Sequence, residues 1–238
     1  MPSLRILLAT TLALLLTPTA ARAAEPTTEP GFTPIFNGKD LQGWEGDPAA
    51  WKVENGAITS TGGQTKKNWL IWRGGKLRDF ELRLQFKFTK GNSGVQVRSK
   101  EISKWQVRGY QVEIAGHQKM GLWHHSLAPA KHRSHLATAG QRVRIDRAGK
   151  KTVEQFADPE KIQSLCKDDA WNDLTVIAKG PRLIQKINGT LFADLTDEEQ
   201  EHASRSGLLA LQDHGKGMHA AFKNIRVKHI KQVPKTKQ

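Results

Sequence analysis

Two short stretches of the sequence, GNSGVQVR and GYQVEIAG, begin like turns, continue like strands and carry polar residues at alternate positions. Because side chains alternate between the two faces of a strand, Gln96 should share a face with Arg98, and Gln111 with Glu113. Glu113 is the carboxylate best suited to act as a general base or a metal ligand. Arg98 is a fixed cation that could stabilise a developing negative charge. These residues are either solvated strand faces, with Arg98 and Glu113 forming a structural bridge, or two walls of one polar site.

A histidine later in the chain could complete such a site. In GLLALQDHG, His214 follows Gln212 by two residues, so a strand would direct both side chains to the same side. A histidine at a strand end can titrate near neutral pH or bind a metal; the other interpretation is a surface-loop residue. Asn92, where GNSGVQVR enters its strand, is either a turn residue or a binding residue.

Between residues 117 and 170 the strand pattern breaks, and five histidines occur there. They are His117, His124, His125, His132 and His135. Their spacing matches no zinc template, which favours a polar loop. The alternative is a divalent metal ion held by Glu113, His214 and His124; no other cofactor is predicted.

The clearest pattern in the chain is the period of two in DFELRLQFKF. Its apolar residues should enter a core while the residues between them stay polar. The apolar set is Phe80, Leu82, Leu84, Phe86 and Phe88. Further strand patterns recur about every ten to fifteen residues, with turn signals such as Asn55-Gly56 between them, and this spacing predicts an all-β sandwich.

One or two short helices are also predicted. Asp158 is a suitable N-cap, and Pro159 after it suits the first helical position. Thr196 and Glu199 form a capping-box signature, and Gly207 could end that second helix.

The first residues predict export rather than structure. Arg5 is followed by the apolar run Ile6–Leu16 and then by small residues, which is typical of a secretory signal peptide covering residues 1–23. The apolar run is too short to span a bilayer, and no later segment approaches the required length. A linker at 24–30, one domain at 31–231 and a basic tail at 232–238 are expected to follow, in a periplasmic or secreted protein.

The chain is strongly basic, with a formal net charge of +14, of which +12 remains without the two arginines of the predicted signal. The lysines and arginines are scattered and no nucleic-acid-binding motif is present, so nucleic acid is not predicted as a partner. The single cysteine, Cys166, can form no internal disulfide and is expected to be a buried apolar residue.

Nine motifs, read in order, resemble those of the 3-keto-disaccharide hydrolase family. They are FTPIFNGKDLQGW, WKVENG, DFELRLQFKF, GNSGVQVRS, GYQVEI, WNDLTV, INGTLFAD, GLLALQDHG and FKNIRVKHI, and the resemblance covers Gly31 to Ile230. The resemblance implies a concanavalin A-like jelly roll, in which two curved antiparallel sheets place a sugar site on the concave face. It also implies cleavage of glycosides that are oxidised at C3.

Such a substrate requires a base rather than two opposed carboxylates. The 3-keto group acidifies the proton on C2, so a base can remove it, the C1 substituent can leave by elimination, and water can then add. The resemblance and this chemistry assign catalysis to Glu113, Arg98 and His214. The E-x-D-x-x-E strand motif of laminarinase-like jelly rolls is absent from the sequence.

Carbohydrate is therefore the predicted partner, and side chains around the candidate strands are expected to bind it. The predicted substrate-binding residues are Asn92, Gln96, Gln111, Gln212, Trp69 and Trp123. The two tryptophans could stack on sugar C–H faces. The alternative function is a non-catalytic, lectin-like carbohydrate-binding module, which needs hydrogen bonds and an aromatic platform but no base. The sequence does not indicate an oligomeric state.

Overall fold

A computed structural model of the chain describes residues 29–64, 66–116, 120–125, 133–215 and 217–231. Within these residues the chain forms seventeen strands and one short helix. The strands are β1 (Thr33–Pro34), β2 (Trp44–Glu45), β3 (Trp51–Glu54), β4 (Ala57–Ser60), β5 (Asn68–Trp72), β6 (Phe80–Lys90), β7 (Asn92–Ser103), β8 (Gln106–Ala115), β9 (Gly121–His125), β10 (Ser134–Thr138), β11 (Gln141–Ile145), β12 (Lys151–Gln155), β13 (Asn172–Lys179), β14 (Arg182–Ile187), β15 (Thr190–Asp197), β16 (Leu208–Asp213) and β17 (His219–His229). The helix, α1, is Pro159–Gln163.

The strands form two sheets. The ten-stranded sheet has the order β12-β11-β15-β14-β13-β6-β17-β4-β3, and β1 also pairs with β17. The seven-stranded sheet has the order β10-β9-β8-β7-β16-β5-β2. Neighbouring strands are antiparallel except for β11 and β15, which are parallel. The predicted all-β architecture is confirmed.

The core lies between the two sheets. In β6 the residues Phe80, Leu82, Leu84 and Phe86 are at most 1% exposed, whereas the residues between them are partly exposed, as the period of two predicts. From the seven-stranded sheet, apolar side chains of β7, β8 and β16 join the same cluster. Each such side chain contributes roughly 1.5–3 kcal/mol by leaving water.

The helix at Asp158 is confirmed, because the Asp158 Oδ1 accepts the N–H of Glu160 at 2.9 Å. The second predicted helix is wrong. Thr196 and Asp197 instead end β15, and the following residues to 206 are turn and irregular backbone. Asp197 is fully buried and accepts hydrogen bonds from Tyr110 and Arg133, so tertiary contacts override the local capping signal.

A buried arginine connects the two sheets. Arg98, in β7, donates to the Arg78 carbonyl oxygen, to the Gly180 carbonyl oxygen at 2.8 Å and to Asp79 Oδ1 at 3.1 Å. All three acceptors belong to segments that lead into or connect strands of the ten-stranded sheet. Burial lowers the pKa of Arg98 to about 10, so the side chain remains a cation at neutral pH.

The predicted position of Arg98 is therefore wrong, because the alternation of β7 breaks at this residue. Its φ is +48°, and the β7–β8 register shifts between Val97 and Lys100. The side chain consequently leaves the face of Gln96 and points towards the other sheet. A close backbone approach accompanies the break, since a Cβ added to Gly207 would lie 2.4 Å from the Arg98 carbonyl carbon.

We expect Arg98→Ala to lower the free energy of unfolding by about 3–5 kcal/mol, because it removes the buried cation of the Arg98–Asp79 ion pair and the donors to the Arg78 and Gly180 carbonyl groups. Urea denaturation measures this change. Arg144→Ala is the control, since the Arg144 side chain is 67% exposed in its ion pair with Glu198 and should contribute little. Equal midpoints for the two variants would contradict the structural role of Arg98.

Candidate functional site

Polar side chains of β7, β8 and β16 meet on the face of the seven-stranded sheet that points away from the core. Gln96 Nε2 donates to Gln111 Oε1 at 2.8 Å. Gln111 Nε2 donates to Gln212 Oε1 at 3.0 Å and to Glu113 Oε2 at 2.6 Å. Asn92 Nδ2 donates to Glu113 Oε1 at 2.6 Å. These five residues, called the amide row below, were all predicted to belong to one site, and the structure brings them together.

The amide row is almost completely shielded. Gln96, Gln111 and Gln212 have no exposed surface, and Glu113 is 6% exposed. Buried polar groups must be hydrogen-bonded to avoid a cost of several kcal/mol, and the row supplies most of these bonds internally. The exception is Asn92 Oδ1, which is buried and has no partner among the described residues. The two short bonds to Glu113 come from different strands, so they fix the orientation of its carboxylate.

A glycine makes room for the centre of the row. Gly94 lies opposite both Glu113 in β8 and Gln212 in β16. A Cβ at position 94 would lie 2.6 Å from the Gln111 side chain. The missing side chain thus lets Gln111 lie across β7 and reach Gln212 two strands away.

Aromatic residues flank the row on the same face. Trp69 pairs with Gln212, and Trp123 pairs with Gln111. The His125 ring lies between them, with centroid distances of 5.9 Å to Trp69 and 6.1 Å to Trp123, and its Nε2 lies 3.5 Å from Gln212 Nε2. The indole Nε1 atoms of both tryptophans are buried and have no acceptor among the described residues, so each is an unused hydrogen-bond donor.

His124 lies on the opposite face of the sheet, so the predicted grouping of His124 with Glu113 is wrong. Its ring packs edge-on against Tyr110 in β8, at a centroid distance of 5.1 Å. Burial lowers the pKa of His124 to about 4, which keeps the ring neutral. Adjacent residues of an extended strand face opposite ways, so it is His125 that reaches the site. The i, i+2 relation of His125 to Trp123 was the signal that could have identified it.

The remaining histidine of the predicted site, His214, follows the end of β16 and is partly buried. Its catalytic role stays a prediction. Two other histidines of the 117–170 segment, His117 and His132, lie outside the described residues, as do the predicted signal peptide and basic tail.

Acidic and imidazole groups that could hold a metal ion lie elsewhere among the described residues. Ligand atoms of Glu199, Glu201 and His202 fall within 4.8 Å of one another. The Arg133 guanidinium lies 3.3 Å from Glu199, which opposes the binding of a metal cation there.

The one helix among the described residues is too short to span a membrane.

The family model of the 3-keto-alpha-glucoside-1,2-lyase-like domain matches residues 31–228. The chain belongs to this family. The predicted family resemblance is thereby confirmed, and the amide row is the candidate site of a 3-keto-alpha-glucoside-1,2-lyase-like domain.

A 3-keto-disaccharide hydrolase of Bacteroides thetaiotaomicron is 31% identical to this chain over 102 residues. The match covers 37% of this chain and 34% of that relative, so the chain spans about a third of the relative's length.

Solved structures support the fold. A Parabacteroides distasonis protein with a glycosyl hydrolase assignment has a TM-score of 0.56 at 16% identity, covering 84% of this chain and 99% of that one. The carbohydrate-binding module CBM66 of Bacillus subtilis has a TM-score of 0.51 at 14% identity, covering 78% and 95%. A Bacillus subtilis protein with a galectin-like fold scores 0.53 at 10% identity, covering 83% and 94%. The predicted concanavalin A-like jelly roll is confirmed.

Gly94→Ala should break the amide row, because the added methyl group overlaps Gln111. We expect a loss of about 1–3 kcal/mol in the free energy of unfolding, as for other overpacked sites. Gly116→Ala is the matched control, since a Cβ there meets no atom within 4 Å. If chemical denaturation gave the same midpoint for both variants, the packing of Gln111 would not require a glycine at position 94.

Asp213→Asn should stabilise the protein progressively as the pH rises. Burial raises the pKa of Asp213, and its Oδ2 has no hydrogen-bond partner among the described residues. The carboxyl group of Asp213 therefore ionises at a lower pH in the unfolded chain than in the folded protein. The wild type consequently loses stability as the pH rises above the unfolded pKa of about 3.9. Asparagine keeps an Oδ1 for the Gly215 N–H and carries no such penalty. Melting temperatures at pH 3 and pH 7 measure the difference, and a gain confined to pH 3 would contradict this assignment.

Proposed function

We propose that the protein is an exported carbohydrate-active enzyme that cleaves 3-keto-glycosides, with 3-keto-disaccharides as its substrates. The observation that supports this most directly is the orientation of Glu113. Its carboxylate is the only acid in the amide row, and two amide donors from separate strands hold it at 2.6 Å each. A single oriented base beside buried hydrogen-bond donors is what an elimination at C2 requires.

The chemistry begins at the carbon next to the ketone. Glu113 removes the proton from C2, and the electron pair forms the enolate of the C3 ketone. The enolate then expels the C1 substituent, which leaves with a proton, and a double bond forms between C1 and C2. Addition of water across that double bond regenerates a 3-keto sugar, so the net reaction is hydrolysis.

The enolate oxygen needs donors that are already in place. The indole N–H groups of Trp69 and Trp123 are buried and have no acceptor among the described residues, which suits this role. In this proposal the two indoles take the role that the sequence assigned to Arg98, whose guanidinium instead donates to Gly180 and Asp79 between the sheets. His214, which follows β16, is the proposed acid for the leaving group.

Ordinary glycosidases use a different arrangement, with two carboxylates on opposite sides of the scissile bond. The amide row contains one carboxylate, Glu113, and its other members are neutral amides. This composition favours elimination followed by hydration over an oxocarbenium route.

A non-catalytic carbohydrate-binding module is the second candidate. It is favoured by the hydrogen bonds that Gln96 and Gln111 already make to each other and to their neighbours Ser99 and Gln212. Such a site could hold a sugar through the indoles without removing a proton.

Glu113→Gln decides between the two functions. We expect wild-type protein to turn over a 3-keto-disaccharide, and the variant to lose about 10²–10⁴-fold in rate, the usual contribution of a general base. Product formation is followed by chromatography, with and without added divalent metal ions. The control, Glu154→Gln, changes an exposed carboxylate of β12 and should retain full activity.

Two outcomes would contradict the proposed enzymatic function. One is a wild-type protein that binds the oxidised and unoxidised disaccharides but releases no product, which is the behaviour of a binding module. The other is a Glu113→Gln variant, folded by its melting temperature, that keeps wild-type rates.

A further inference from the structure

A cleft lies on the outer face of the ten-stranded sheet, whereas the amide row belongs to the seven-stranded sheet. Its volume is about 470 Å³, which is within the usual range of small-molecule sites. The floor is formed by Ala221 of β17, which pairs with Thr59 of β4 on one side and with Lys87 of β6 on the other. A short side chain between longer neighbours leaves the depression.

One wall of the cleft is aromatic and cationic. Lys223 Nζ lies 4.0 Å from the centroid of the Trp171 ring, a cation–π contact that holds the ammonium group against the indole. Both residues are partly exposed and line the cleft together with Lys87. A ligand would therefore meet a positive charge and a flat apolar surface side by side.

The charge of the cleft is not neutralised. Its carboxylate, Glu54, is paired with Lys52 at 3.1 Å. Lys87 and Lys223 have no ion-pair partner among the described residues, whereas Arg83 and Arg226 on the same sheet both pair with Glu29. Two ammonium groups are thus available to an anion at this position.

We propose that this cleft binds an acidic oligosaccharide, with a uronate carboxylate bound by Lys87 and Lys223 and the sugar ring packed against Trp171. The aromatic wall favours a sugar over an inorganic anion, because indole rings pack on C–H faces. The overall basic charge of the chain would draw such a polyanion to the surface. This binding site is independent of the proposed catalytic site.

Isothermal titration calorimetry with tri-galacturonate tests the proposal, and maltotriose serves as the neutral probe. We expect the wild type to bind tri-galacturonate, with an affinity that falls as salt is added, and not to bind maltotriose. Lys87→Ala/Lys223→Ala should weaken binding by roughly tenfold or more. Lys179→Ala/Lys186→Ala removes the same charge from β13 and β14 outside the cleft and should leave the affinity unchanged.

Three results would overturn the proposal. They are no binding of tri-galacturonate, equal weakening by the two double variants, and equal affinity for tripolyphosphate, which would indicate charge alone. Glu113→Gln should bind tri-galacturonate like the wild type. Failure of the 3-keto-glycoside activity is therefore distinguishable from failure of this site.

Discussion

The buried guanidinium of Arg98 is the contact on which the relation between the two sheets depends. A cation removed from water must find acceptors in the protein, and here they come from the segment that leads into β6 and from the turn between β13 and β14. The requirement imposes a left-handed residue within β7 and a close approach of Gly207. Because β7 also carries Asn92, Gly94 and Gln96, the same strand that joins the sheets supports the centre of the candidate site.

The amide row illustrates how such a site can be rigid without being charged. Amide side chains both donate and accept, so a chain of glutamines can satisfy itself across three strands and end at one carboxylate. The geometry exists before any ligand arrives. Little reorganisation would then be needed when negative charge develops nearby, which is the physical basis of electrostatic preorganisation.

Alternation in the sequence was sufficient to predict strands β6, β7 and β8 and the shared site of Gln96, Gln111 and Glu113. It failed where backbone or tertiary contacts break the pattern. No sequence signal marks Arg98 as a left-handed residue, since arginine does not favour that conformation. The capping signature at Thr196 was overridden by bonds to Asp197 from distant strands. The orientation of His124 and His125 required the position of β9, which only the register shows.

The strand order has a consequence for the synthesis of the protein. The last strand, β17, lies inside the ten-stranded sheet, between β6 and β4, and it also pairs with β1. Strands near the beginning of the domain thus acquire their neighbour only after residues 219–229 have been made. A nascent chain that has reached β16 still lacks the neighbour of β6, β4 and β1, so the domain remains incomplete until β17 has been made.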